Sequence, residues 1–158
     1  MEQDKYKKVL DKIQSQCVRR EYCTSDIRAK VLKAVEGDEE TADEMVAALV
    51  ADKFVDDLRY ASAFAREKSA ISGWGAQKIS FMLVRKGIDK QIIKDALAEV
   101  DGAAATKKLE SAVAAKYRSL AEDPQCRLKL LRFALGRGYG YDEVKSVVEK
   151  IMRGGLDS

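Results

Sequence analysis

Two adjacent carboxylates, Asp56 and Asp57, are the first residues whose type and spacing could support acid–base or metal chemistry. Neighbours on a helix point about 100° apart, so the pair cannot converge on one proton or one ion. A helix start explains them better, because acids are favoured at the positive end of the helix dipole. The chain holds no histidine, which removes the commonest general base, metal ligand and pH switch. Cys17, Cys23 and Cys126 are odd in number and lack tight spacing, so reduced thiols are expected rather than a disulfide framework or a zinc site. Gly73-Trp74-Gly75 lacks the longer glycine–lysine pattern of a nucleotide loop. The expectation is a non-enzyme with no catalytic, cofactor-binding or metal-binding residues and no cofactor.

What remains is surface charge. Arg59, Arg66 and Lys68 fall on one helical stretch and Lys78, Arg85 and Lys86 on the next, with Lys129, Arg132 and Arg137 further along. Arg59 and Arg66 are seven residues apart, as are Lys78 and Arg85, so each pair shares a helix face. Such a track suits phosphates or an acidic protein surface. For any single one of these residues a solvated helix face is the better reading; the recurrence of Lys78 and Lys86 as Lys129 and Arg137 favours function for the set. Trp74, the only tryptophan, reads either as a buried seal between helices or as an exposed interface aromatic. Tyr139 and Tyr141 read as packing around a glycine turn or as stacking platforms for bases.

These residues need a scaffold, and composition bounds it. The chain has 158 residues, 46% hydrophobic and 35% charged, with a formal charge of +3. Residues 25–57 carry a net −6, residues 58–158 a net +7 and residues 1–24 a net +2. A bipolar chain of this kind can meet a polyanion on one part and repel it on another. No apolar run approaches the roughly 20 residues of a membrane span, and the polar N-terminus has no signal peptide, so a cytoplasmic protein is expected. With one proline and helical periodicity throughout, the pattern predicts nine helices. They lie near 5–20, from Thr24 to Gly37, from Thr41, from Asp56 to Gly73, 75–86, 89–100, 103–120, from Pro124 to Gly136, and from Tyr141. Lys53-Phe54-Val55 is the longest strand candidate.

The helices repeat. Lys78 to Ile88 aligns with Lys129 to Tyr139 at an offset of 51 residues. Ile93, Ala96 and Leu97 meet Val144, Val147 and Val148 in one direction, and Ala42, Met45 and Val46 in the other. The first copy slips by one residue, since Ile27 lies 52 before Ile79. The expected fold is all-α: three tandem three-helix repeats at 1–54, 55–102 and 103–153, with a flexible tail at 154–158. Stacked repeats of this type stay elongated.

Asp56-Asp57-x-Arg59-Tyr60-Ala61-x-x-Phe64, followed by Gly73-x-Gly75-x-x-Lys78-Ile79-x-x-x-Leu83-x-x-Lys86-Gly87-Ile88, resembles the signature of the RecX regulatory proteins. Phe133-x-x-x-Arg137-Gly138-Tyr139 resembles their third-repeat motif. The likeness runs from about Cys17 to Ile151. The first repeat departs from it, with Lys53 where a glycine is common and an acidic loop at Asp38-Glu39-Glu40. The resemblance implies a curved, elongated monomer that lies in the groove of the RecA filament on single-stranded DNA. There it blocks extension or promotes disassembly, lowering ATP hydrolysis, strand exchange and co-protease activity. Some such proteins also bind DNA directly, single- or double-stranded. The competing reading is a helix-turn-helix-like DNA-binding protein that acts without RecA through the basic helices at 75–86 and after Pro124.

Overall fold

The computed structural model describes residues 1–154. Among the described residues there are nine helices and no strand: α1 Gln3–Arg19, α2 Thr24–Ala34, α3 Glu39–Ala51, α4 Asp57–Ala70, α5 Ala76–Arg85, α6 Lys90–Ala98, α7 Gly102–Leu120, α8 Cys126–Leu135 and α9 Tyr141–Met152. Apart from Gly154, the expected tail lies outside the described residues. The all-α expectation holds, and Lys53-Phe54-Val55 is the exit from α3 rather than a strand.

By contact the chain divides into two compact units. One is Met1–Ala63 with Leu83–Ala96; the other is Phe64–Met82 with the chain from Leu97 onward. The helices of the middle third therefore contribute to both.

The 51-residue period is written into the backbone. Glu36, Gly87 and Gly138 stand 51 apart and all adopt left-handed φ, at 57°, 76° and 94°. At the first two, paired bonds close the helix. Glu36 and Gly37 donate to the Lys33 and Leu32 carbonyls, and Gly87 and Ile88 to those of Val84 and Leu83. Glycine reaches this conformation without steric cost, whereas Glu36 carries strain. Lys53 ends α3 in the same way with φ 64°. The one-residue slip falls at the end of α2. Five positions separate buried Val31 from Glu36, against four from Leu83 to Gly87 and from Ala134 to Gly138.

In the first unit, Ile13 and Cys17 of α1, Ile27, Val31 and Val35, and Ala42, Met45, Val46 and Leu49 of α3 form one apolar core. Each Ile, Leu or Val side chain fully withdrawn from water contributes about 1.5–3 kcal/mol. The acid pair divides its labour. Asp56 caps its own helix by accepting the Arg59 N–H at 3.0 Å. Asp57 reaches the start of α2, accepting the Thr24 N–H at 2.8 Å and its hydroxyl at 3.0 Å. Thr24, Ser25 and Asp26 form the first turn of α2, whose cap position is Cys23, a residue with a side chain that makes no cap hydrogen bond. The third helix likewise starts before Thr41, because Asp38 accepts the Thr41 N–H at 3.1 Å.

In the second unit, α7, α8 and α9 enclose Leu109, Val113, Leu130, Ala134, Val144 and Val148. Asp101 caps α7 through the N–H groups of Ala103 and Ala104. Pro124 was expected in the first turn of α8 but precedes it. It occupies the second position of a turn closed by the Cys126 N–H on the Asp123 carbonyl at 3.0 Å, a place its fixed φ favours.

Candidate interaction site

The start of α5 is locked onto the turn between α8 and α9. The Gly75 N–H donates to the Arg137 carbonyl at 2.7 Å and the Gln77 N–H to the Gly138 carbonyl at 3.0 Å. Two of the orphan donors at the α5 N-terminus are thereby satisfied by another part of the chain. The approach is so close that a Cβ on Gly75 would lie within 3 Å of the Gly138 backbone and the Tyr139 ring. Gly73, at φ 68°, brings its neighbour's carbonyl under the Arg137 guanidinium, which donates to Ser72 O at 2.8 Å. The Tyr139 hydroxyl lies 3.0 Å from both Gly73 O and Ala105 O, and its single hydrogen serves one of them at a time. Burial raises the Tyr139 pKa above the usual tyrosine value. Gly73-Trp74-Gly75 is therefore a clamp.

The clamp presents Trp74. Its ring meets Phe64 edge-on, with centroids 6.2 Å apart. Two ammonium groups lie against it, Lys78 at 4.4 Å and Lys68 at 5.0 Å, the latter also 5.7 Å from Phe64. Neither lysine forms an ion pair among the described residues. Ring contacts of this kind are worth about 0.5–1 kcal/mol at exposed sites, so they hold the lysines in place while leaving their charge uncompensated. On α8, the half-buried Phe133 ring has Lys116 at 5.6 Å and Arg137 at 5.7 Å.

The other basic residues fall into different circumstances. Arg137 is half-buried, and its Nε has no hydrogen-bond partner. Lys129 pairs with Asp123 at 2.5 Å, and its hydrogen bond is the main reason the Asp123 pKa is lowered. Arg66 meets Glu99 at 3.6 Å with both side chains mostly in water, a geometry worth about 0–1 kcal/mol. Arg132 is exposed and without an ion pair among the described residues. Arg85 is exposed on the last turn of α5.

In the first unit, Arg59 and Lys86 act as ties. Arg59 donates to Glu21 at 2.6 Å and to the Lys53 and Phe54 carbonyls that end α3; the Glu21 hydrogen bond is the first cause of its raised pKa. Lys86 grips both Asp26 oxygens at 3.0 and 3.2 Å, which is the main reason its pKa is raised, while its carbonyl accepts the Ser25 hydroxyl at 2.6 Å. Lys86 and Arg137 are 51 apart: each closes a helix-terminal turn onto the start of another helix. Asp26 answers Lys86 in the first unit. At the corresponding place in the second stands Lys78, which turns to Trp74 instead. Spacing could show that these cations recur; it could not show which had been given a partner. The acceptors lie 60 and 65 residues away in the chain.

The described residues form an all-helical scaffold that carries positive charge and aromatic rings, and no cluster of metal-binding residues lies among them. The sequence matches the model of the RecX second three-helix domain over residues 56–97. It is 32% identical to the regulatory protein RecX of Pectobacterium atrosepticum over 146 residues, covering 81% of this chain and 88% of that one. A regulatory protein RecX of Clostridium botulinum is 32% identical over 120 residues, 72% of this chain and 54% of its own length. The chain spans about half the length of the clostridial relatives it matches. The fold agrees with that of RecX from Lactobacillus salivarius at a TM-score of 0.81, with 20% identity over 94% of this chain and 97% of that one. The chain belongs to the RecX family of regulatory proteins.

Proposed function

We propose that this chain is a non-enzymatic negative regulator of the RecA recombinase. It binds the RecA filament on single-stranded DNA as a monomer and inhibits filament extension, ATP hydrolysis, strand exchange and co-protease activity. It carries this out in the cytoplasm; no helix among the described residues is long and apolar enough to cross a membrane. Its working plan is three tandem three-helix repeats at 1–54, 55–102 and 103–153, supported by the left-handed residues at 36, 87 and 138. The observation that carries the reading is the alignment with a regulatory protein RecX over 88% of that relative's length. The Lys68–Trp74–Lys78 cluster is the surface we assign to contact, with Arg66, Lys129 and Arg132 as further contact cations. Arg59 and Lys86 support the fold of the first unit, and Arg137 that of the second. Arg85, on the first unit, is assigned an auxiliary contact.

Partner choice is tested by fluorescence anisotropy of the labelled protein at several salt concentrations. The proposal expects binding to RecA-coated single-stranded DNA that survives salt better than binding to the bare strand, because a protein partner adds contacts that do not depend on counterion release. Equal binding with and without RecA would favour a DNA-binding protein that acts independently.

A further inference from the structure

Residues 25–57 of the first unit carry a net −6. Its α1–α2 face is basic. A groove of about 490 Å³ runs between the two helices, floored by Val9, Ile13 and Ala34 and edged by Lys12, Lys30 and Lys33. No carboxylate lines it. Lys12 and Lys33 are exposed, and neither forms an ion pair among the described residues. Lys30 donates to Gln16 at 3.2 Å and lies 5.3 Å from the Tyr22 ring. Glu36, at the end of α2, is engaged by Lys5 at 3.5 Å.

We infer that this groove docks an acidic amphipathic segment of a partner protein, apolar side chains on the Val9–Ile13–Ala34 floor and carboxylates against Lys12, Lys30 and Lys33. Charge complementarity selects an acidic occupant, since three ammonium groups surround a lining with no opposite charge. The apolar floor selects a peptide over a nucleic acid, because a phosphate backbone has nothing to bury there. Tyr22, beside Lys30, already has Arg20 at 4.5 Å as well as Lys30 against its ring, which leaves a poor platform for stacking bases. Helix-in-groove recognition reads such a floor through side chains at helical spacing. The groove lies wholly in the first unit, so the inference stands apart from the site assigned above.

The test uses the full chain and a fluorescein-labelled peptide of repeating Glu-Glu-Leu-Leu as probe. Labelled polyglutamate and oligo-dT are the comparisons. The peptide binds more tightly than polyglutamate, and the Lys12→Ala/Lys33→Ala variant weakens it about three- to tenfold while its helicity and its oligo-dT binding stay at the parent values. Lys33→Gln alone gives a smaller loss in the same direction. Peptide binding no tighter than polyglutamate, or equal in parent and variant, overturns the inference. So does a variant that loses oligo-dT binding instead, which makes the groove a nucleic-acid surface. A concentration-dependent dimer abolished by the variant reassigns it to a second copy of the chain.

Discussion

Gly75→Ala lowers the unfolding free energy by roughly 2–4 kcal/mol, read as a shift of the urea midpoint followed by circular dichroism. The added methyl meets backbone on one side and the Tyr139 ring on the other, all inside 3 Å. A flexible side chain could swing away, but the Gly138 carbonyl cannot. It accepts from Gln77, and its neighbouring carbonyl accepts from Gly75 itself. Relief therefore breaks one or both of those bonds, each worth about 0.5–1.5 kcal/mol, or forces overpacking worth about 1–3 kcal/mol. The matched control is Gly102→Ala, where the new methyl meets nothing within 4 Å; its stability stays within about 0.5 kcal/mol of the parent. Gly75→Ala behaving like Gly102→Ala would mean that the clamp does not exist in solution.

Lys68→Glu/Lys78→Glu weakens the proposed inhibition of RecA by about tenfold or more, with helicity unchanged. The two ammonium groups lie 5.0 and 4.4 Å from the Trp74 ring and have no carboxylate partner among the described residues. Reversing them removes attraction to an acidic or phosphate-bearing surface and adds like-charge repulsion, which costs several kcal/mol across an interface. The loss of the ring contacts costs the fold only about 0.5–1 kcal/mol each, so function and stability separate. Lys86→Glu is the contrasting case. It loses the two-oxygen grip on Asp26 and sets two acids together, so its damage shows first in the unfolding curve. A double variant that inhibits as well as the parent would remove the Trp74 cluster from the interface.

The difference between these lysines marks how far sequence could reach. Helix periodicity made every helix visible, and the glycine stops at 87 and 138 exposed the repeat. The remaining stop was read one residue late, at Gly37, because Glu36 at the repeat position adopts the same left-handed conformation without being glycine. Asp56 and Asp57 were legible as helix capping, yet only Asp56 serves its own helix; Asp57 serves one that begins 33 residues earlier. Links of that kind leave no local pattern, since the spacing of partners depends on how helices are brought together. The same reason makes Arg59, Lys86 and Arg137 look like free surface charge in sequence, although each reaches an acceptor in folded backbone or a carboxylate. Segment charge misled in the opposite direction. The acids of residues 25–57 mask Lys30 and Lys33, which join Lys12 of α1 only once α1 and α2 lie side by side.

The proposed function has this chain control RecA filaments by occupying them. The most direct measurement is RecA ATP hydrolysis on single-stranded DNA, with the chain added well below one copy per RecA. The account predicts a rate that falls steadily as filaments turn over and fail to regrow, to a small fraction of the uninhibited rate. Hydrolysis that continues at full rate even at one copy per RecA would contradict it.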